Sequence, residues 1–417
     1  MSADYDMAIV GAGAAGLAAG MALQAAGKSF IVLEARNRIG GRAWTDTESF
    51  PGIAFDRGAH WLHAAAHNPF VQFADNLGIR YNNRIDWSHR VLFTGGGKCA
   101  GEDLLQQQMN SLMGDLESCS EAGEQGRDIA FSDAMDASGP WHLLNRRVVH
   151  QITSHEPEDS STLDYARYVD EGGDYPVEDG YGTLVARHAA AIPVTLSTPV
   201  TQVDWSGRGV RIGTTKGTIA AKAMILAVPV NVLMAGGIRF TPALPADLMV
   251  ALADCPMGVS EKFAVLLDRP IEGMVHTYGD VVDGPPVTRT FNLHVNPFGR
   301  PMLISHFGGA YGRDLIAAGE RAVKAIALEE MAEAFGSGIR KRVIATTMTG
   351  WLSDPFSLGG YSHARPGRAA SRLRFATPIG ERIFMAGEHC SLPFFSTVHG
   401  AHFSGLAAAE KALALIA

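Results

Sequence analysis

Several sets of residues in this chain have types and spacings that could do chemistry. In GAGAAG (11–16), Gly11, Gly13 and Gly16 follow the apolar run DMAIV and open a helix of small residues, and FIVLE (30–34) then ends on Glu34. Strand, glycines, helix, strand and acid, in that order and within about 30 residues, form an arrangement suited to a dinucleotide. Gly11 makes the tight turn, Gly13 lets the backbone approach a pyrophosphate, Gly16 lets helix and strand pack closely, and Glu34 accepts hydrogen bonds from a ribose. The helix start offers unpaired N–H groups to the phosphates. This spacing alone does not separate NAD from FAD.

Lys262 lies inside MGVSEKFAVLL (257–267). A lysine in an apolar strand is costly to bury unless something pairs with it, and burial lowers its pKa toward a range useful in proton or oxygen chemistry. GAHWLHAAAHNP (58–69) sets histidines at 60, 63 and 67, spacings that would share one face of a helix. No acid or cysteine is spaced to complete a coordination sphere, so no metal is expected there. EGGDYPVEDGYGTL (171–184) gathers Glu171, Asp174, Glu178 and Asp179, either as a solvated turn or as a receiver for positive charge. Cys99, Cys119, Cys255 and Cys390 are far apart, form no CxxC pair and read as reduced thiols.

Elements must position these residues. At 417 residues the chain exceeds the ~250–300 at which one core stops growing, so two domains are expected. Residues 194–229 alternate apolar and polar residues around turns at SGRG and TKG, a small β-meander ending in a buried strand. Residues 76–180 read as mainly helical, with LLQQQMNSLMGDLESCSEAGEQG an amphipathic helix and loop. VTRTFNL and PMLISHF read as strands, RAVKAIALEEMAEAF as a helix, and RIFMAGEHCS as a strand that a long C-terminal helix follows. With no repeat and no low-complexity linker, the domains should interleave. A net charge of −8 without a basic run argues against nucleic acid. The N-terminus lacks a signal-peptide pattern and no apolar run approaches the ~18 residues of a membrane span, so a cytoplasmic protein without a membrane partner is expected.

LEARNRIGGRAWT (33–45) resembles the extended FAD fingerprint of the flavin amine oxidase family, and TVHGAHFSG (397–405) is similar to the HGA-x-x-SG sequence of its polyamine oxidases and histone demethylases. The likeness covers nearly the whole chain and is weakest from about 90 to 175. It implies an α/β fold in which a Rossmann-type FAD-binding domain (1–75, 185–265 and 365–417) interleaves with a mixed α+β substrate-binding domain (76–184 and 266–364). Implied FAD contacts are Gly11, Gly13, Ala14, Ala15 and Gly16 at the first turn, then Glu34, Ala35 and Arg36, then Gly41 and Arg42 at the GGR turn. Gly58, Ala59, His60 and Trp61 would lie along the flavin, Val200 would meet the adenine, and Gly387, Glu388, Thr397 and Val398 would approach from the C-terminal helix start.

The resemblance also assigns reaction residues. MGVSEKFAVLL resembles a G-x-x-x-K strand whose lysine, here Lys262, holds a water at flavin N5. GWLSDPFSLGGYS (350–362) matches W-x-x-D-P-x-S-x-G-x-Y, which puts Trp351 and Tyr361 on the flavin face, an electron-rich wall suited to an amine. Gly360 stands where monoamine oxidases carry a flavin-linking cysteine, so FAD should be noncovalent. Thr397 stands where they place a second tyrosine, so the aromatic cage is half present. His63 falls at a substrate-contacting position, His67 in a surface turn, and His399 at a helix start rather than at substrate. The implied activity is hydride transfer from the α-carbon of a primary or secondary amine to FAD, imine hydrolysis, and reoxidation by O2 with release of hydrogen peroxide. Alternatives are an L-amino acid oxidase, for which Arg57 matches poorly, a flavin dehydrogenase or desaturase with another acceptor, and, least favoured, a noncatalytic flavoprotein scaffold.

Overall fold

The computed structural model describes residues 3–84 and 90–416. The domain spans starting at residue 1, ending at 417 and passing through 85–89 extend outside the described residues at those points.

An eight-stranded sheet carries the dinucleotide half. Its centre is Tyr5–Val10, flanked in parallel by Phe30–Leu33 and by Gly217–Leu226. Ile383–Met385 joins Gly217–Leu226 in parallel, so the two ends of the chain meet on one sheet. The meander appears as Val200–Asp204, Val210–Thr214 and Gly217–Leu226, antiparallel throughout. Its strands bury both faces. On one side Met7, Ile9, Val32 and Phe384 pack against the helices Ala14–Ala25 and Val398–Ile416. On the other, Ala8, Val10, Met224 and Met385 meet the helix Ala246–Asp254. Near-continuous apolar strands are what a sheet covered on both faces requires.

The second sheet has the order Val343–Met348, Ser260–Leu267, Met302–Gly308, Thr290–Val295, Thr277–Val282, Arg90–Phe93, antiparallel except at its last pair. Phe263, Val265, Leu293 and Leu303 turn to the helix Glu320–Phe335. The period of two then sends Lys262, His306, His294, Asn292 and Tyr278 to the opposite face. That face looks toward the first sheet.

Two expected boundaries need correction. Ser260–Leu267 belongs to the second sheet, so the boundary placed at 265 cuts a strand. Tyr181–His188 is a helix whose Tyr181, Leu184 and Val185 pack into the first sheet's core, so the boundary at 184 cuts a helix. Region 76–180 is mainly helical as expected, with the helices Glu102–Glu124 and His142–Thr153, and it adds the short strand Arg90–Phe93, held by parallel pairing with Thr277–Val282. A four-residue strand completed by a partner almost 190 positions away leaves little local pattern.

Candidate active site

One cavity of about 1180 Å³ runs from the first sheet's strand ends to the polar face of the second. It exceeds the ~300–1,000 Å³ of ordinary ligand pockets, as a dinucleotide plus a substrate demands. Every residue expected at cofactor or substrate lines it, apart from Gly16. Gly16 lies behind the turn: a Cβ there would sit 1.9 Å from the Gly11 carbonyl oxygen, so its role is the close helix–strand contact.

The dinucleotide end is built from backbone. Gly11 has φ +103°, and a Cβ on it would come within 2.5 Å of the Ala227 carbonyl oxygen. At Gly13 a Cβ would meet only the Gly41 Cα at 3.9 Å, which leaves open space before the helix Ala14–Ala25, whose start carries no side-chain cap. Glu34 is buried; its Oε2 accepts from the Ala12 N–H at 2.8 Å and its Oε1 from the Arg36 N–H at 2.9 Å. Arg36 is tied to Asp354 (Nη2 to Oδ2, 2.6 Å), joining the turn to the segment that carries Trp351.

Arg42 donates to the Gly360 carbonyl at 2.6 Å and to Glu388 Oε1 at 3.0 Å, while Glu388 Oε2 accepts from the Ser362 hydroxyl and the Ser396 N–H. Burial alone would raise the Glu388 carboxyl; Arg42, His389 and the Ser362 hydroxyl outweigh it and hold it below the usual range. Three distant segments thus meet at one ion pair. Thr397 accepts from the Gly400 N–H at 2.9 Å and donates to the Phe394 carbonyl at 2.8 Å. Its hydroxyl caps the C-terminal helix.

Lys262 lines the cavity on the second sheet's polar face. Its Nζ donates to the carbonyls of Asp56 at 2.8 Å and Gly58 at 2.7 Å. Burial, with Arg57 adding and Asp56 opposing, lowers its pKa to about 8. Trp351 is 6% exposed, and its indole N–H donates to the Arg57 carbonyl at 3.1 Å. The Tyr361 hydroxyl donates to the Gln151 carbonyl, and burial raises it to about 12. Lysine, tryptophan and tyrosine therefore line the same cavity, each held by a backbone oxygen.

The histidines separate. Trp61–Leu62 is a strand, and the next helix begins only at Pro69, capped by Asn68. His60 lines the cavity and is buried. His63 Nδ1 lies 2.8 Å from Asp174 Oδ1 at the cavity wall, and His67 Nε2 pairs with the exposed Glu171 at 3.0 Å. Although burial opposes it, Asp174 raises the His63 pKa. His399 is buried with Nδ1 3.3 Å from the Asn68 amide, which links two helix starts. Among the described residues no group of three or more His, Cys, Asp or Glu could hold a metal ion.

The acidic run divides as well. Glu178 and Asp179 pair with Arg80, and Glu171 with His67; none of these lines the cavity. Asp174 does, together with Asp170, which the sequence reading missed. Also missed were Tyr168, Tyr278, Asn292 and His306. His306 stands opposite Lys262 in the strand register, a relation visible only once PMLISHF and MGVSEKFAVLL are paired.

The family described as flavin containing amine oxidoreductase matches residues 14–138 and 154–413. The chain belongs to this family. Polyamine oxidase 4 of Oryza sativa subsp. japonica is 29% identical, over 97% of this chain and 87% of that enzyme. Polyamine oxidase 2 of Arabidopsis thaliana is 28% identical over 96% and 86%, and human lysine-specific histone demethylase 2 is 27% identical over 97% and 53%. Among solved structures, a putrescine oxidase triple mutant superposes with a TM-score of 0.79 at 22% identity, covering 98% of this chain and 99% of that one. Cyclohexylamine oxidase from Brevibacterium oxydans IH-35A gives 0.80 at 22%, covering 99% of each. These two share the fold.

The enzyme is thus a flavin-dependent oxidoreductase acting on small-molecule amines, with FAD as its cofactor. The residues present fit that group: an open helix start at Gly13, an enclosed carboxylate at Glu34 and a glycine turn no Cβ could occupy. No helix among the described residues is long and apolar enough to cross a membrane.

Proposed function

We propose that the enzyme oxidises a primary or secondary amine whose chain carries a second positive charge, a diamine or polyamine, and that it does so in the cytoplasm with O2 as electron acceptor. The observation that carries this reading is the pair of carboxylates, Asp170 and Asp174, on the cavity wall beside His63. The relatives named polyamine oxidase, and a structural neighbour, wild-type putrescine oxidase bound to putrescine, support it. The four cysteines, none of them paired, support a reducing compartment.

The Gly11–Ala15 turn, Glu34, Arg42 and the Glu388 segment would hold FAD noncovalently, and FAD bound there would supply the two-electron redox chemistry that takes a hydride equivalent from the amine's α-carbon and passes the electrons to O2 as hydrogen peroxide. The chain's own residues do the rest. With the domain boundaries moved before Ser260 and Tyr181, the first sheet would carry this cofactor and the second would face the amine. Trp351 and Tyr361 wall the place of reaction and exclude water, and Thr397, its hydroxyl committed to the helix, leaves room beside Tyr361 for an extended chain. Lys262 Nζ, lowered to about 8, can hold a water and exchange a proton with it in the working pH range. The amine must react neutral, since an ammonium has no lone pair to develop into an iminium. Asp170 and Asp174 hold the distant ammonium, which fixes how deep the reacting carbon sits.

A carboxylate-clamping site is less well supported, because Arg57 is spent on Asp46 (2.9 Å) and on Thr347 (3.0 Å). The test is kinetic. Asp170→Asn and Asp174→Asn should raise the KM for diamines and triamines by about 10-fold or more, the worth of a charged hydrogen bond, and leave monoamines unchanged. Equal losses on both classes would refute the reading.

A further inference from the structure

Among the described residues, the largest side chain that the fold buries completely is a charged one. Arg372, on the 3₁₀ stretch Ala369–Ala376, forms a two-pronged ion pair with the buried Asp164: Nε to Oδ1 at 2.9 Å and Nη2 to Oδ2 at 2.5 Å. Asp164 sits on the short helix Thr162–Ala166, and Tyr165, Ala166 and Tyr168 around it line the cavity. His363 Nδ1 also lies 3.9 Å from Asp164. Burial lowers the His363 pKa, however, and its Nε2 donates to the Ser161 carbonyl at 3.1 Å. The charge on Asp164 is therefore answered by Arg372.

A buried pair of this kind adds little net stability, because the desolvation of both ions offsets their attraction. What it fixes is direction. The remaining nitrogen of the guanidinium, Nη1, donates to the Ser362 hydroxyl oxygen at 3.2 Å and to the His389 carbonyl at 3.1 Å. A guanidinium has no acceptor, so the Ser362 oxygen receives, and its single proton is left for another partner. That partner is Glu388 Oε2, at 2.6 Å. The same carboxylate oxygen accepts the Ser396 N–H at 3.0 Å, while Oε1 accepts from Arg42. His389 follows Glu388 directly in the chain, so Arg372 holds Glu388 from two sides, by the backbone beside it and by the hydroxyl on its carboxylate.

We propose that Arg372 is a positioning residue for FAD: anchored on Asp164, its guanidinium commits the Ser362 proton to Glu388 and so keeps that carboxylate in the one orientation that faces the cofactor. No bond is made or broken in this role. Arg372 itself does not line the cavity; the ring of Phe395, which does, lies 4.3 Å from its Cζ. Burial raises the Glu388 carboxyl, Arg42, His389 and the Ser362 hydroxyl oppose it, and the Arg372 charge adds to them. The same guanidinium that orients the carboxylate thus also favours its ionised form.

The role rests on Glu388 facing FAD and is independent of which amine is oxidised. Removing Arg372 alone would leave Asp164 buried and unpaired, so the two are changed together: Arg372→Met with Asp164→Asn is neutral and keeps an acceptor for the Ala364 N–H, which Asp164 Oδ2 now takes at 2.8 Å. FAD dissociation is read from the fluorescence of flavin released on dilution of the holoenzyme, with far-UV circular dichroism as the check on folding. The neutral pair and Ser362→Ala should each weaken FAD binding about 10-fold or more, the worth of a hydrogen bond to a charged group. Combined, they should weaken it no further than either alone, because both act through one hydroxyl. Arg372→Lys keeps a cation for Asp164 but lacks the planar fork; it should show the same loss, and it serves if the neutral pair does not fold. FAD affinity equal to the parent's in the neutral pair or in Arg372→Lys would overturn the proposal. So would losses that multiply to about 100-fold in the combined variant, the mark of two independent effects. Glu388→Gln with the parent's FAD affinity would overturn the placement of Glu388 itself, and this role with it, while leaving amine oxidation untouched.

Discussion

Replacing Lys262 with methionine exchanges a buried amine for an apolar chain of similar length, and the structure sets the size of the effects. Burial lowers this amine from 10.5 to about 8, a folded-state penalty on the charged form of at most about 3 kcal/mol. The substitution removes that penalty but leaves the carbonyls of Asp56 and Gly58 without their donor, at about 1–3 kcal/mol each. The two effects oppose each other, so at pH 7 the variant should match the parent within about 3 kcal/mol. Their pH dependence separates them. The unfolded chain keeps the lysine proton up to about 10.5 and the folded chain releases it near 8. The parent therefore gains stability as pH rises through that window, and Lys262→Met does not. Urea midpoints at pH 7 and pH 10 measure this. Loss of a positioned proton-transfer group should cost about 10²–10⁴ in rate, seen in stopped flow with anaerobic amine reduction and reoxidation by O2 followed separately. A variant that keeps both half-reactions within about threefold, and an inflection near pH 8, would refute the assignment of Lys262.

Two further outcomes follow from the same geometry. Gly11→Ala places a Cβ 2.5 Å from the Ala227 oxygen at φ +103°, a conformation alanine resists; the variant should lose FAD on desalting, read from the visible spectrum, while far-UV circular dichroism stays that of a folded chain. His63 has a raised folded-state pKa, so its bond to Asp174 stabilises the protein fully below the ordinary histidine range and fades as pH rises through the folded value. His63→Ala should raise KM for charged amines with FAD retained, and a variant that loses FAD would contradict its place on the substrate side.

What was legible in the sequence was local. Gly11, Gly13 and Glu34 fall within one strand–helix–strand unit, and Lys262, Trp351 and Tyr361 each sit in a compact pattern, so spacing along the chain sufficed to nominate them. What was not legible depends on pairing between distant strands. Arg90, Tyr278, Asn292 and His306 reach the cavity only because four strands from separate parts of the chain align in one sheet. Asp170 carried no local signal, whereas Glu178 and Asp179 carried a strong one and are taken up by Arg80. The boundaries at 184 and 265 failed for a related reason. Tyr181–His188 and Ser260–Leu267 are assigned to a unit by what they pack against, which neither segment encodes alone.

The central claim, that this cavity holds FAD and an amine together, is tested most directly by anaerobic titration of the purified enzyme with monoamines, di- and polyamines and L-amino acids, following loss of the flavin's visible absorbance. The account predicts stoichiometric bleaching by amines, fastest with those carrying a second ammonium, and recovery of colour with hydrogen peroxide when air is admitted. Bleaching by L-amino acids alone, or by no amine at all, would contradict it.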